Sequence, residues 1–250
     1  MKIFYCILAI FVAGLVGYLF GAVSNSRIIG EIFFHKDVMK EGSKNPGATN
    51  AGRILGKKIA VIVVILDMLK IILPFFAAFY LFTNVQILKE ITFYSEEYNS
   101  FGRGNTLNQL AYYIVPLCGI IGHCYSVFLN FKGGKAVSSF FGYTVSLTYI
   151  TFPIGGFIFF GILKGTRKVS LGSLISTLCV TIAIWIIYFI YAFAGPQIAQ
   201  YLTYFGYGPE MCIYTPFVTT ISYLILLYRH KANIERLRNN QENEVHWFKK

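Results

Sequence analysis

Long apolar stretches alternate with short polar segments along the whole chain. The apolar stretches cover residues 3–23, 59–82, 110–131, 137–163, 171–194 and 211–228. Because a helix needs about 20 apolar residues to cross the hydrocarbon core of a bilayer, the pattern predicts an all-α fold, a polytopic transmembrane helix bundle. The stretch 84–108 is polar and lacks periodicity, which predicts an exposed loop.

One of these stretches is expected to form two helices. A single crossing by residues 137–163 would place the cations of 164–168 outside, against the positive-inside rule. Pro153 lies within the stretch and favours a break close to it. The split predicts seven helices, with the N-terminus outside, the loop 84–108 extracytoplasmic and the tail 229–250 cytoplasmic.

Composition agrees with a membrane protein. Of the 250 residues, 56% are hydrophobic and 13% are charged, whereas a soluble domain carries roughly 25% charged residues. A single membrane domain over residues 1–250 accounts for this length. The chain therefore belongs in the cell membrane as a multi-pass protein.

The net charge of +11 is distributed unevenly. Of the 22 Lys and Arg residues, 18 fall within 24–58, 131–135, 164–168 and 229–250. In the predicted topology these four segments are the loops and the tail on the cytoplasmic side. Attraction to anionic lipid headgroups therefore explains the charge better than binding to nucleic acid. No nucleic-acid partner is expected.

The five cysteines are scattered through apolar sequence and show no metal-ligand spacing. An odd number without a CxxC pair argues against a disulfide framework and against a zinc site. We expect them to pack as small apolar side chains. No metal and no cofactor is predicted.

The first polar segment, residues 42–53, has the composition of a ligand-binding loop. Gly47 and its neighbours Gly42 and Pro46 break regular helix and expose backbone N–H groups. The segment also carries neutral hydrogen-bonding groups and one planar cation, namely Ser43, Asn45, Thr49, Asn50 and Arg53. A capped turn before a transmembrane helix is the simpler alternative, but a cap needs only one or two such residues.

The second polar segment, residues 131–135, is a glycine-rich turn before a helix. Lys132 and Lys135 flank Gly133 and Gly134, and the arrangement resembles an anion-binding nest more than a Walker loop. Just upstream, His123 is expected to have a packing or capping role.

The third polar segment, residues 229–242, is predicted to form an amphipathic helix at the membrane surface. His230 and Asn233 share one face at a spacing of three residues, so both can reach one ligand. A basic tail can also serve only to set the topology, and spacing alone leaves both interpretations open. Within the second apolar stretch, Asp67 and Lys70 have the same spacing and are expected to pair with each other or with a neighbouring helix.

These segments together resemble the acyl-phosphate-dependent glycerol-3-phosphate acyltransferases of bacterial membranes, the PlsY type. Three blocks carry the resemblance, in the family's order: Ser43 to Arg53, Gly122 to Lys135, and His230 to Glu242. Smaller matches are Leu66-Asp67-x-x-Lys70 and Val169-Ser170-Leu171. The chain differs from the family's usual residues at a few sites, which are Asn25, Lys44, Ala136 and Asn240.

The resemblance implies transfer of a fatty acyl group from acyl phosphate to the 1-hydroxyl of glycerol 3-phosphate. It implies an active site that faces the cytoplasm of a bacterial plasma membrane, with glycerol 3-phosphate, acyl phosphate and membrane lipid as partners. The enzyme that produces acyl phosphate is a further candidate partner. An acyl phosphate is already activated, so positioning and charge stabilisation can supply much of the rate.

Roles for the residues follow from the same resemblance. Arg53, Lys132 and Lys135, with Gly133 and Gly134, are expected to hold phosphates, and the first segment (Ser43, Asn45, Gly47, Thr49, Asn50) to orient and bind the substrates. His230 and Asn233 are expected to bind glycerol 3-phosphate. Asp67, Lys70, His123 and Glu242 are expected to be structural.

Two questions stay open at this level. The general base is either His230 or the departing phosphate of the donor. His230 and Glu235 are five residues apart, a spacing that splays them on a helix, so they are not expected to form a dyad. A carrier for anionic solutes and a scaffold subunit of a lipid-synthesis complex are the alternative functions.

Overall fold

The computed structural model of the chain is an all-α bundle. It describes residues 1–93, 98–99, 102–103, 106–194 and 213–245. The helices of this part are α1 (Lys2–Ala22), α2 (Asn25–Phe34), α3 (Ala48–Ile54), α4 (Lys57–Asn84), α5 (Gln86–Ile91), α6 (Thr106–Cys124), α7 (Val137–Leu147), α8 (Thr151–Thr166), α9 (Val169–Ala194), α10 (Tyr214–Arg229) and α11 (Lys231–Arg238). A 3-10 turn, Val127–Leu129, follows α6, and Tyr98–Asn99 pairs with Gly102–Arg103 in a two-residue antiparallel ladder.

The predicted membrane stretches are mostly helical where the structure describes them. In the described ranges, four segments are long and apolar enough to cross a membrane: Lys2–Phe34, Lys57–Asn84, Leu107–Leu129 and Val169–Phe193. The first of these comprises α1 and α2, which are separated by an extended backbone at Val23. The shorter α8 is also apolar. The predicted class, a polytopic transmembrane helix bundle, is confirmed.

The stretch 137–163 is broken, as predicted. α7 ends at Leu147 and α8 begins at Thr151, so the break lies before Pro153, not at it. A proline is tolerated in the first turn of a helix, where its missing N–H has no intrahelical partner. The Thr151 hydroxyl fills part of the break by donating to the carbonyls of Thr144 at 3.0 Å and Thr148 at 2.9 Å.

Several boundaries predicted from the sequence were wrong. α6 ends at Cys124, seven residues before the predicted end of its stretch, because a 3-10 turn and residues in the left-handed region follow it. The region 84–108 is not simply an exposed loop, since it contains α5 and buries Thr92 and Asn108. The Asn108 amide donates to the Phe82 carbonyl and to the Thr92 hydroxyl, each at 2.8 Å. The predicted helix over 229–242 ends at Arg238.

Two short helices were not predicted. α2 follows α1 after a short bend, and its apolar residues Ile32 and Phe33 are exposed. α3 lies inside the first polar segment, which therefore is not a loop throughout. Both helices are too short for their periodicity to stand out in a window of 11–18 residues.

α1 and α6 pack with their backbones almost in contact. A Cβ added at Gly17 would lie 2.2 Å from the Val115 carbonyl oxygen, and one added at Gly21 would lie 1.9 Å from that of Gly119. Only glycine permits this approach, and small residues commonly line helix contacts in membranes. The contact holds the end of α6, and hence the second polar segment, beside the end of α1.

A buried aromatic group forms the centre of the bundle. The Phe75 ring on α4 lies within 6.4 Å of the rings of Tyr112, Tyr113 and Tyr143, measured between centroids. Closer to the polar segments, the Lys70 ammonium lies 3.1 Å from the Asp67 carboxylate. This is the ion pair that their spacing predicts, and both side chains are buried.

Candidate active site

The first polar segment is folded around the side chain of Asn50. The Asn50 side-chain oxygen accepts a hydrogen bond from the Ser43 N–H at 2.8 Å. Its amide nitrogen donates to the carbonyls of Val38 at 2.7 Å and Glu41 at 3.1 Å. Asn50 is only 1% exposed, and both of its N–H groups are used. The geometry makes Asn50 the internal brace of this segment.

The Asn50 side chain also explains why residue 42 is a glycine. The φ of Gly42 is +59°, and a Cβ at this position would lie 2.4 Å from the Asn50 side-chain oxygen. Any other residue would therefore be strained in its backbone and would clash with the brace. Two residues further on, Lys44 adopts a φ of +56° without being a glycine.

The other candidates of this segment lie at or near its surface. Ser43 and Arg53 are exposed, whereas Asn45, Gly47 and Thr49 are half-buried. Gly47 caps α3, since its carbonyl accepts the N–H groups of Asn50 and Ala51. α3 thus places Arg53 one turn beyond the brace, as an exposed residue.

Gly133 and Gly134 do not point their N–H groups at a binding site. The Gly133 N–H donates to the Cys124 carbonyl at 3.1 Å, and the Gly134 N–H donates to the His123 carbonyl at 2.9 Å. Both groups are occupied, so the expected phosphate nest is not formed in this conformation. The glycines are needed for close packing instead, because a Cβ at Gly134 would lie 2.2 Å from His123 Nε2.

His123 is buried between the second polar segment and the membrane core. Its backbone carbonyl holds Gly134, and its ring lies against the same glycine. Among the described residues its Nδ1 has no hydrogen-bond partner. These contacts agree with a packing residue that supports the turn.

Lys135 begins a chain of polar contacts that joins the second and third segments. Its ammonium donates to the Asn233 side-chain oxygen, and the Asn233 amide donates to Glu242 Oε1 at 2.8 Å. The other carboxylate oxygen of Glu242 accepts a hydrogen bond from Arg236 Nε at 3.0 Å. The tail beyond α11 therefore folds back onto the helix and fixes Asn233.

The charges around Lys135 are mostly positive. Burial is the main cause that lowers the pKa of Lys135 to about 8. Glu242 opposes this shift, whereas Arg236, Arg229 and Arg53 add to it. Cations from the first and third polar segments are thus close enough to act on the one ammonium group of Lys135, in the second segment. A surplus of partly desolvated cations is what a dianionic ligand requires.

The ring of His230 is held in one tautomer. His230 is 2% exposed, and its Nδ1 lies 2.8 Å from the Leu226 carbonyl oxygen. A carbonyl only accepts, so Nδ1 carries the proton and Nε2 of the neutral ring keeps a lone pair. Burial lowers the pKa of His230 to about 4, and Lys135 and Arg229 act in the same direction. The neutral ring can therefore accept a hydrogen bond at Nε2 near neutral pH.

Arg229 is a residue of the site that the sequence did not single out. Its Nη2 donates to the Gly133 carbonyl at 2.9 Å, and its Nε donates to the Gly134 carbonyl at 3.2 Å. In the sequence it looks like one more cation at the end of a membrane helix. Its position directly before His230 was the only available signal.

The structure does not join every candidate to this cluster. Within the described ranges, the side chains of Ser43 and Lys132 are exposed and make no hydrogen bond or ion pair. In the same ranges no group of three His, Cys, Asp or Glu side chains is placed to hold a metal ion. Cys212 lies outside the described residues.

Comparison with known proteins identifies the family. A sequence model described as "Glycerol-3-phosphate acyltransferase" matches residues 11–240. The chain belongs to this family. The resemblance of its three polar segments to the PlsY type is thereby confirmed.

Individual relatives among the glycerol-3-phosphate acyltransferases match nearly the whole chain. The protein of this name from Mycoplasmopsis synoviae is 32% identical and covers 100% of both chains. That from Staphylococcus haemolyticus is 33% identical over 94% of this chain and 96% of its own. This is a family of membrane enzymes, which favours the acyltransferase over the carrier and the scaffold subunit.

Solved structures show the same fold. The crystal structure of PlsY, an integral membrane glycerol 3-phosphate acyltransferase, in its glycerol 3-phosphate form, superimposes with a TM-score of 0.67 at 24% identity. It covers 94% of this chain and 95% of its own. The lysophosphatidic acid form of PlsY gives a TM-score of 0.66. The helix bundle described above is therefore the fold of an integral membrane acyltransferase.

Proposed function

We propose that the chain transfers a fatty acyl group from acyl phosphate to the 1-hydroxyl of glycerol 3-phosphate. The products are 1-acyl-glycerol 3-phosphate and inorganic phosphate. The observation that carries the proposal is the convergence of Arg53, Arg229 and Arg236 on the Lys135 ammonium, where the Glu242 carboxylate opposes them. Both substrates bear phosphate, and such a surplus of cations stabilises phosphate groups in a partly dry site.

In the proposed reaction, the 1-hydroxyl oxygen attacks the acyl carbon. The bond between that carbon and the phosphate oxygen breaks, and phosphate leaves. The hydroxyl proton passes to the departing phosphate, so atoms and charge balance without a covalent enzyme intermediate. Positioning of the two substrates and stabilisation of negative charge supply the rate.

The pKa of His230 supports the phosphate as the proton acceptor. That pKa is about 4, whereas a phosphate monoester dianion takes up a proton at a pKa of about 6, and free phosphate is more basic than its monoester. The departing phosphate is thus the stronger base. In this proposal His230 Nε2 accepts a hydrogen bond from the attacking hydroxyl and orients it, and the phosphate takes the proton.

The roles of the other residues are proposed from their positions. Lys135 and Arg53 hold phosphate groups, and the exposed hydroxyl of Ser43 orients a substrate. Asn233 holds Lys135 in place, and Asn50 holds the loop that presents Ser43. Lys132, which is exposed, attracts the anionic substrates from a greater distance.

We also propose a cytoplasmic site and seven crossings, with the N-terminus outside. The apolar helices α1, α4, α6, α7, α8, α9 and α10 would be the crossings. If these helices cross the membrane in turn, the cationic segments all fall on one side of it; they are 24–58, 131–135, 164–168 and 229–245. Acyl phosphate from the enzyme that produces it would then reach the site from the cytoplasm.

The test is turnover by purified protein in detergent. Glycerol 3-phosphate is offered with palmitoyl phosphate, palmitoyl-CoA or a palmitoylated acyl carrier protein, and phosphate and lysophosphatidate are both measured. We expect equimolar products with palmitoyl phosphate alone. Ser43→Ala and Arg53→Ala should lose this activity, and the exposed control Arg238→Ala should keep it. Turnover with another donor only would overturn the assignment of the donor.

A further inference from the structure

Arg229 links the last membrane helix to the second polar segment. Its Nε and Nη2 donate to two successive carbonyls, Gly134 at 3.2 Å and Gly133 at 2.9 Å. Because the guanidinium is planar and rigid, two bonds from one edge fix the orientation of the peptide as well as its place. A lysine ammonium is a point charge on a flexible stem and cannot hold both carbonyls in the same way.

The guanidinium is itself fixed on another side. Its central carbon lies 5.1 Å from the ring centroid of Tyr125, which directly follows α6. A cation over the face of an aromatic ring is attracted to it. Arg229 therefore joins the end of α10, the end of α6 and the glycine turn.

The turn that Arg229 holds is strained. Asn130, Phe131 and Ala136 have φ values of +51°, +60° and +60°, although none is a glycine. In this region the Cβ lies too close to the following carbonyl oxygen, which costs free energy at Phe131 and Ala136 and less at Asn130. Strain of this kind persists only where the surroundings hold the backbone in place. The two bonds from Arg229 come from a helix about 95 residues away in sequence and supply such a restraint.

Arg229 lies next to two groups of the proposed site, the Lys135 ammonium and the His230 ring. Lys135 follows Gly134 directly, and His230 follows Arg229 directly. The guanidinium charge also contributes to lowering the pKa of both groups, after burial, which places it close to both. Displacement of the Gly133–Gly134 peptide would move Lys135 relative to His230.

We propose that Arg229 is a positioning residue, whose guanidinium sets the distance between the Lys135 ammonium and the His230 ring by holding the Gly133–Gly134 peptide. The inference rests on the proposed function, in which Lys135 holds a phosphate group and the His230 ring orients the attacking hydroxyl. Arg229 does not need to touch the substrate for this role.

The kinetic test compares Arg229→Lys and Arg229→Met with the matched control Arg238→Lys, which replaces an exposed arginine of α11. In Arg229→Lys the charge is kept and the fork is lost, and we expect kcat to fall by about tenfold to a hundredfold. In Arg229→Met we expect the same loss. Its alkaline limb of kcat/KM should also move to higher pH, because removal of the cation lets the pKa of Lys135 rise. Arg238→Lys should match the unmodified protein.

A second measurement needs no turnover. An amine-reactive ester labels the protein in detergent, and peptide mass spectrometry follows the rate at Lys135 relative to the exposed Lys132. We expect faster relative labelling of Lys135 in Arg229→Lys, which keeps the cation and loses the fork, and no change in Arg238→Lys. If the unmodified protein shows no turnover, the proposed function fails, and the labelling still decides whether Arg229 holds Lys135.

Three results would overturn the proposal. One is full activity in Arg229→Lys, which would show that charge alone suffices. Another is unchanged labelling of Lys135 in Arg229→Lys. The third is loss of the folded, monodisperse protein in both Arg229 variants, which would assign Arg229 to the stability of the bundle as a whole.

Discussion

The Lys135 ammonium donates a hydrogen bond to the side-chain oxygen of Asn233, across 98 residues of sequence. Asn233 passes the contact on by donating to Glu242, which Arg236 also holds. The tail after α11 therefore controls a lysine that lies in a loop between two membrane helices.

Replacement of Asn233 tests this relay, the chain of contacts from Lys135 through Asn233 to Glu242. Asn233→Ala leaves the half-buried Lys135 and the buried Glu242 carboxylate without their shared partner, and an unsatisfied buried polar group costs about 1–3 kcal/mol. We expect a lower melting temperature in detergent and a loss of kcat/KM of about tenfold or more. The matched control is Asn239→Ala, at an exposed asparagine just after α11. Equal behaviour of the two variants would contradict the relay.

The pKa of Lys135 predicts an alkaline limb. At a pKa of about 8, the ammonium is charged below pH 8 and neutral above it, so phosphate binding weakens as the pH rises through that value. We expect kcat/KM for glycerol 3-phosphate to fall above pH 8, more than two units below the ordinary lysine pKa of about 10.4. Lys135→Arg should shift this limb beyond the measured range. A profile that stays flat to pH 10 in the unmodified protein would contradict the assignment.

His230 predicts a loss of stability in acid. Its pKa is about 4 in the folded protein and 6.5 as the ordinary value. Between these values the unfolded chain binds more protons than the folded one, so stability falls as the pH drops from 6.5 to 4. We expect the melting temperature in detergent to fall over this window, and to fall less in His230→Asn. Identical pH dependence of the two proteins would show that the ring is not buried in its neutral form.

Substitutions of Ser43 and Asn50 are expected to differ in their effect on stability: both lower the activity, and only the second lowers the melting temperature. Ser43→Ala removes an exposed hydroxyl that holds nothing in the described structure, so activity should be lost at an unchanged melting temperature. Asn50→Ala removes the brace for Ser43, Val38 and Glu41, and should lower the melting temperature as well. Thermal melts beside initial rates decide the matter. A stable Asn50→Ala variant with normal activity would contradict the brace.

The ion pair of Asp67 and Lys70 predicts a non-additive pair of substitutions. Lys70→Met leaves a buried carboxylate that still accepts a hydrogen bond from the Asn25 amide, 2.9 Å away. Breaking a buried pair costs about 3–5 kcal/mol, whereas replacing both members is often close to neutral. We expect the double variant Asp67→Leu, Lys70→Met to melt at a higher temperature than Lys70→Met. Additive losses would rule out a direct pairing of these charges.

Part of the fold could be read directly from the sequence. The apolar stretches predicted α1, α4 and α9 to within a few residues, because a membrane crossing needs one long, continuous apolar run. The break before α8 also followed, since the charge distribution and Pro153 both favoured it. The short helices α2 and α3 did not follow, because a helix of 10 or 7 residues gives little periodic signal.

The site was predictable in its residue types and not in its contacts. The three polar segments were recognised from their composition, and the resemblance to a family supplied roles for them. The use of the Gly133 and Gly134 N–H groups could not be predicted, because the backbone of the turn bends back onto Cys124 and His123. Arg229 was missed since a cation at the end of a membrane helix usually only fixes topology.

The sequence by itself determined that this is a helical membrane protein with three polar segments suited to phosphate. Continuous apolar length, clustered cations and motif spacing are local properties, and they can be read without a structure. The tertiary structure alone decided that Lys135 contacts Asn233, that Arg229 holds the glycine turn, and that His230 keeps its proton on Nδ1. These outcomes depend on burial and on contacts between residues about 95 or more positions apart, or on the partner that a buried ring finds, and no local pattern contains them.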